Sequence, residues 1–318
     1  MDLIEKIKNI LISKNFKVSQ IYFLAGDAST RDYFVLEYNN SRFVLMHDPD
    51  KKSLEKFVRI SGILNKFVTV PKIIEVFSDK NILIMEDFGK NKYSQILNST
   101  NREKLYFIAV DALINVHSHK FVNCVPNYTT EIFLNESMLF FDWYINEKFF
   151  NDIDEYKNKF KDLFISLMKK IKKLPRVLIH RDYHVDNLFF LEKRDNFLKC
   201  GWIDFQDALH GYCVYDILSL TQDARIDFPE KLENEIIKYY LEKFCYIDKD
   251  EFMFAYNLIA IQRHLKVLGI FSRLYKREHK QSYVKHIPRV ERLLIKNLKK
   301  EPFFNLKHLL NPLVKHEI

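Results

Sequence analysis

Hydrophobic spacing separates a strand-rich first part of the chain from a helical remainder. Leu3, Ile4, Ile7, Ile10 and Leu11 recur at helical period and predict a short amphipathic helix. Three strand-like runs follow at 21–24, 33–38 and 42–46. The first two are joined by A-G-D-A-S-T-R-D and the next pair by a polar N-N-S turn, which reads as an antiparallel meander. Helical period returns over 53–67, through Leu54, Phe57, Val58, Ile60 and Leu64. Two more strands are expected at 73–77 and 81–86, split by S-D-K-N. The apolar pattern then stops at M-E-D-F-G, Met85 to Gly89, where a hinge is expected.

Beyond this point helices are predicted at 102–119 and 130–151, with another approaching Leu174 that Pro175 ends. Two short strands, 188–191 and 200–204, interrupt the helical pattern. It resumes at 218–224, 232–244, 252–276, 282–298 and 306–313. No internal repeat or low-complexity tract is present. The expected fold is α+β and bilobal, with a small β-rich lobe over 1–88 and a large, mostly helical lobe over 89–318.

Composition supports a packed protein. The 318 residues are 47% hydrophobic, with 28 Phe and 17 Tyr to fill a core, and six Gly and eight Pro leave little for a long linker. A net charge of +8 raises nucleic acid or an anionic membrane as partners. Lysine is spread through mixed Lys/Glu/Asp helical stretches, however, which read as solvated faces, and a nucleotide suits the excess equally well. Neither nucleic acid nor membrane is therefore expected. The four cysteines have no C-x-x-C spacing and read as reduced thiols. The opening residues carry charge in every turn, and the longest apolar runs are far too short for a membrane span. A cytoplasmic protein is expected.

The chemistry concentrates between His180 and Asp216. H-R-D-Y-H-V-D-N places Asp182 in a histidine-led loop and Asn187 five positions later, and Asp204 ends the apolar run W-I-D. This order of acid, amide and second acid is the layout of phosphoryl transfer. Asp182 is the candidate for handling the attacking hydroxyl, while Asn187 and Asp204 offer magnesium hard oxygen ligands. A lone H-x-D would be only a loop acid; the ordered set of four is specific. Reading His180, His184 and Asp186 as a transition-metal cluster fits less well, because the segment lacks the helix that would align an i,i+4 pair. His180 is expected to pack under the loop, and Asp216, opening a helix, to tie down the loop backbone. Gln206 and Asp207 are candidates for hydroxyl recognition or a plain polar turn. Arg181 and His184 lie close enough in sequence to meet phosphate or substrate.

These residues resemble the aminoglycoside phosphotransferase and choline kinase-like superfamily along essentially the full chain. Within it the chain is similar to the anomeric N-acetylmuramate/N-acetylglucosamine kinases of bacterial cell-wall sugar recycling. The resemblance rests on G-D-A-S-T-R-D-Y-F, V-L-M-H-D-P-D, I-L-I-M-E-D-F-G, H-R-D-Y-H-V-D-N-L, I-D-F-Q-D-A and Y-D-I-L-S-L. Q-R-H-L-K-V-L-G-I-F-S-R-L, from Gln262, and H-I-P-R-V, from His286, point to the narrower group.

The resemblance implies ATP- and Mg²⁺-dependent transfer to the C1 hydroxyl of an amino sugar, and a sugar-1-phosphate nucleotidyltransferase to receive the product. It implies nucleotide binding by Gly26, Ser29, Thr30 and Arg31 in the first loop, and by Met85, Glu86, Asp87 and Phe88, mainly through backbone. Acceptor contacts are expected from His184, Gln206, Asp207 and Arg263. The chain departs from the wider pattern twice: it has no G-x-G-x-x-G, and Met46 stands where a phosphate-binding lysine is expected. Arg31, Lys51 or Lys52 are the alternatives for that charge, and Arg31 reads slightly better as a surface strand residue. Arg263, His264, Lys266 and Arg273 make a cationic helix that suits an anionic or neutral acceptor, or else a solvated face. A kinase of an aminoglycoside or amino alcohol, and a non-catalytic pseudokinase-like module, are the competing readings.

Overall fold

A computed structural model describes residues 3–16, 18–26, 31–121, 123–145 and 152–314. In chain order the elements are α1 Leu3–Ser13, β1 Gln20–Gly26, β2 Asp32–Tyr38, β3 Ser41–His47, α2 Lys51–Leu64, β4 Ile73–Phe77, β5 Ile82–Glu86, α3 Tyr93–Ile96 and α4 Arg102–His117. Then come α5 Thr130–Leu139, α6 Ile153–Met168, β6 Arg176–Ile179, β7 Leu188–Phe190, β8 Cys200–Trp202 and β9 Leu209–Tyr212. The chain continues with α7 Val214–Thr221, α8 Glu230–Lys243, α9 Lys249–Glu278, α10 Ile287–Leu298 and α11 Phe304–Leu310.

These elements form two compact units. The first joins Met1–Val116 to Val185–Ala208, and the second joins His117–His184 to Leu209–Ile318. The division at 88/89 expected from the break in patterning thus differs from the packing, for a local reason. The β7–β8 hairpin bonds to the N-terminal part: Trp202 N donates to Thr69 O (2.8 Å) and Thr69 Oγ1 to Leu198 O (2.7 Å). Asn115 on α4 likewise donates to Phe67 O (2.6 Å).

The first unit is built on a five-stranded antiparallel sheet in the order β1-β2-β3-β5-β4. Ile7 and Leu11 of α1 pack with Phe34, Leu36, Leu45, Ile82 and Ile84, which turn to one face of the sheet by strand alternation. Asp50 caps α2 by accepting from Lys52 N. Met46, on β3 opposite Tyr33 and Leu83, is fully buried.

The second unit is helical around α9, thirty residues long and capped by Asp248. Gly269 lets α9 lie directly against the end of α5: a Cβ there would stand 2.2 Å from the Leu139 carbonyl carbon. The helix expected over 130–151 is α-helical only to Leu139 and continues as a π-helical turn, Phe140–Tyr144, before leaving the described residues. Two four-residue strands that periodicity did not indicate, β6 and β9, pair antiparallel, Ile179 opposite Leu209. Among the described residues no helix is long and apolar enough to cross a membrane.

Candidate active site

In the second unit, β6 delivers the chain into the loop His180–His184, and β9, its ladder partner, leads into α7. That pairing sets the first turn of α7 beside the loop. Asp216 Oδ2 accepts from His180 N (2.6 Å) and Oδ1 from Arg181 N (3.0 Å). Burial pushes Asp216 up to about 7, against the pull of those two N–H donors and of Arg263. His180 is itself buried; its Nδ1 accepts from Asp182 N (3.3 Å), and its ring meets Tyr183 edge-on. Arg181 sits in the left-handed region at φ +77°.

Asp182 leaves nearly half of its side chain (46%) open. Burial at the base of the loop alone would raise the carboxyl pKa, but the Lys266, Arg263 and Arg181 cations outweigh it and hold it well below the usual carboxylate range. His184 is buried and held neutral, first by burial and then by Arg225, so it presents no cation.

Arg263, expected as an acceptor contact, lies 6% exposed beneath the loop. Its Nη1 donates to Arg181 O (3.1 Å) and Tyr215 OH (3.3 Å), and stands 4.0 Å from Asp182 Oδ1. The rest of the expected cationic stripe is partly spent too. Lys266 pairs with Glu136 (3.1 Å), and His264 bonds to Gln222 in the core (2.8 Å). Glu136 was not anticipated. It lies on α5 between Phe133 and Phe140, three and four positions away, so an acid on an apolar helical stripe was the available signal.

In the first unit, the β7–β8 hairpin places the other two candidates. Leu188 pairs with Trp202, so Asn187 and Ile203 face each other at the end of the ladder, and Ile203 N donates to Asn187 O (3.0 Å). Asp204 follows with φ +61°, a conformation that aspartate tolerates better than most residues. Its Oδ1 accepts from Gln206 Nε2 (2.7 Å) and lies 3.7 Å from Arg31 Nη1.

Arg31 is not a surface residue. It is 7% exposed, and it donates to Asp48 Oδ2 (3.0 Å) and Ser53 Oγ (3.1 Å). Arg31, Asp204 and Gln206 therefore come together, and Asp207 pairs with Lys56 on α2 (2.5 Å).

Met85 is buried in β5 opposite Val44. Glu86 pairs with Arg194 (2.7 Å) and Asp87 with Arg42 (2.5 Å), both lining a groove of about 770 Å³ that contains none of Arg31, Asn187 or Asp204. Phe88 packs against Phe189 (5.8 Å) and so closely over Gly201 that a Cβ there would come within 2.7 Å of its ring. Gly26 closes β1 opposite Asp32, and Ser29 and Thr30 lie outside the described residues. Among the described residues no group of three or more His, Cys, Asp or Glu could hold a metal. An amide and a carboxylate oxygen, as Asn187 and Asp204 offer at the end of one hairpin, do suit magnesium, which fills its shell with water and phosphate.

Residues 20–253 match the model of the phosphotransferase enzyme family. The chain belongs to that family. This phosphotransferase, a kinase-type enzyme, is 32% identical over 279 residues to the N-acetylmuramate/N-acetylglucosamine kinase of Pseudomonas aeruginosa, covering 85% of this chain and 81% of that one. The protein of the same name from Neisseria meningitidis is 29% identical, covering 84% and 82%. Among solved structures, choline kinase LicA from Streptococcus pneumoniae superposes with a TM-score of 0.67 at 15% identity, over 93% of this chain and 100% of that one. The ADP-bound aminoglycoside phosphotransferase APH(2'')-Ib does so with a TM-score of 0.64 at 18% identity, over 93% and 99%. The fold is thus the α+β, protein-kinase-like one.

Proposed function

We propose that this phosphotransferase transfers the γ-phosphoryl group of ATP to the C1 hydroxyl of an N-acetylated amino sugar, N-acetylmuramate or N-acetylglucosamine. The observation that carries this reading is the H-R-D-Y-H-V-D-N loop, held by Asp216, in a chain 32% identical to a kinase named for those sugars.

Asp182 is the catalytic residue in this reading. Its carboxylate accepts the hydrogen bond of the attacking hydroxyl and aims an oxygen lone pair at phosphorus. A carboxyl held so far below its ordinary range is a weak base, so it orients first and takes the proton late. An anomeric hydroxyl, more acidic than an ordinary alcohol, suits such a base. Asn187 and Asp204 would hold magnesium, which when bound neutralises charge on the phosphates. Arg31, beside Asp204, supplies the positive charge absent at Met46, a better placement than exposed Lys51 or Lys52.

Backbone groups at 85–88 and the loop of Gly26, Ser29 and Thr30 receive the nucleotide, making 1–88 the ATP-binding part. Gln206, Asp207 and His184 are the candidate acceptor contacts in this reading. The product, a sugar 1-phosphate, passes to a nucleotidyltransferase in cytoplasmic cell-wall recycling.

Incubation with ATP, Mg²⁺ and a panel of N-acetylhexosamines, amino alcohols and aminoglycosides tests the reading. ADP and an acid-labile sugar phosphate are expected from N-acetylmuramate or N-acetylglucosamine. Turnover of a different alcohol alone would replace the acceptor. An Asp182→Asn variant expected to lose at least about 100-fold in kcat with little change in ATP affinity separates catalysis from a pseudokinase-like binding role, in which it would behave as wild type.

A further inference from the structure

Resting on the phosphoryl-transfer reading, we infer that Glu136 and Arg263 are positioning residues for Asp182, both acting through Arg181. Arg181 immediately precedes Asp182 and holds φ +77°, which an arginine adopts only when its surroundings over-determine it.

Each polar end of Arg181 has an anchor. Its N–H donates to Asp216 on α7 (3.0 Å), and its carbonyl accepts from Arg263 on α9 (3.1 Å). Its Nη2 meets Glu136 on α5 (2.5 Å), and its guanidinium lies over the Tyr128 ring (5.4 Å). Three helices thus converge on the one residue that sets the direction of Asp182.

The charges point the same way. Glu136 also receives Lys266 (3.1 Å), so one carboxylate gathers two of the cations that surround Asp182. Neutralising Glu136 frees the Arg181 side chain and leaves both cations to turn toward Asp182, whose oxygens would then serve them instead of a hydroxyl. Arg263 is in turn an anchor of the loop backbone and not a contact of the acceptor.

Steady-state kinetics of Glu136→Gln, Arg263→Met, Arg181→Met and the Glu136→Gln/Arg181→Met double variant test this. For Glu136→Gln and Arg263→Met, kcat is expected to fall about 10- to 100-fold, with KM for ATP and acceptor within about threefold. In the Arg181→Met background, Glu136→Gln should cost clearly less than it does in the wild-type chain, because only its Lys266 pair is left to lose. Unchanged kcat, a rise in acceptor KM alone, or losses that multiply in the double variant would each overturn the inference.

If Glu136→Gln does not fold, Arg181→Gly replaces it. Glycine takes φ +77° without strain, so wild-type kcat there refutes the side-chain anchor. Amide exchange over 180–184 reads the clamp without turnover: faster exchange is expected in Glu136→Gln, and unchanged protection refutes it. Failure of the acceptor reading is separate, since it shows as wild-type inactivity on every amino sugar while the exchange result stands.

Discussion

Replacing Gly269 by alanine sets two effects of opposite sign against each other. In the middle of α9, alanine gains about 1 kcal/mol of helix propensity. Its Cβ, however, would stand 2.2 Å from the Leu139 carbonyl carbon and 2.3 Å from its oxygen. Ordinary contact needs about 3.4 Å or more, so α5 and α9 must part by roughly 1 Å. The obstruction is helix backbone, which cannot rotate aside as a side-chain tip can. The cost therefore lies at or above the top of the usual overpacking range, about 3 kcal/mol, leaving a net loss of about 2 kcal/mol.

Lys266 and Glu136 sit three residues before Gly269 and Leu139 on the same two helices, so their 3.1 Å pair opens with the crossing and kcat should fall as well. Calorimetry should show a Tm about 3 °C lower. A Tm unchanged or raised would mean that propensity wins and that the close crossing is not required.

Gly201→Ala should be milder, costing about 1 kcal/mol by urea denaturation, because the Phe88 and Leu191 tips it meets can shift; a loss larger than that of Gly269→Ala would contradict the comparison. Burial lowers His117 and His264 to about 3 in the folded chain. Since both lie below the unfolded value near 6.5, the stability they lend is complete above about pH 6.5 and shrinks as pH falls toward 3. The loss is about 1.4 kcal/mol per unit for each, or roughly 4 kcal/mol together at pH 5. A His264→Gln variant should lose about half of this acid sensitivity in urea titrations at pH 7 and 5, and equal sensitivity in both proteins would refute the assignment. Asp204→Asn should keep its Tm within about 1 °C, because asparagine accepts φ +61°, while activity falls about 100-fold or more at any magnesium concentration. Normal activity at high magnesium would remove Asp204 from the ligand set.

The order of elements was legible because each long element carries its own period, as α1 does through Leu3, Ile7 and Leu11. The strands β6 and β9 were not: R-V-L-I and L-H-G-Y are too short for a period, and pairing alone defines them. The stretch that carries Asp182, Asn187 and Asp204 stood out as a motif by the order of its residue types, and the family match to residues 20–253 spans it. The partners of that motif were less so. Arg31 reads like any polar residue after a turn until Asp48, Ser53 and Asp204 close around it. Glu136 and Arg263 are 127 positions apart, and only the α5–α9 crossing shows that both serve Arg181. The cationic stripe around Arg263 is partly engaged for the same reason, because partners such as Glu136 arrive from other helices.

The three-residue β7–β8 ladder decouples the spacing of Asn187 and Asp204, the proposed magnesium ligands, from the length of the chain between them. Asn187 and Asp204 flank its open end, so their backbone separation depends on the rungs from Leu188–Trp202 to Phe190–Cys200 and not on the turn beyond. That turn can therefore drift, lengthen or acquire new contacts, such as the Arg194–Glu86 pair, without disturbing the oxygens at the other end. Variation among relatives should accumulate at 192–197 and spare the rungs. The same property makes this turn the natural place to splice in a tag or a reporter while keeping the enzyme active.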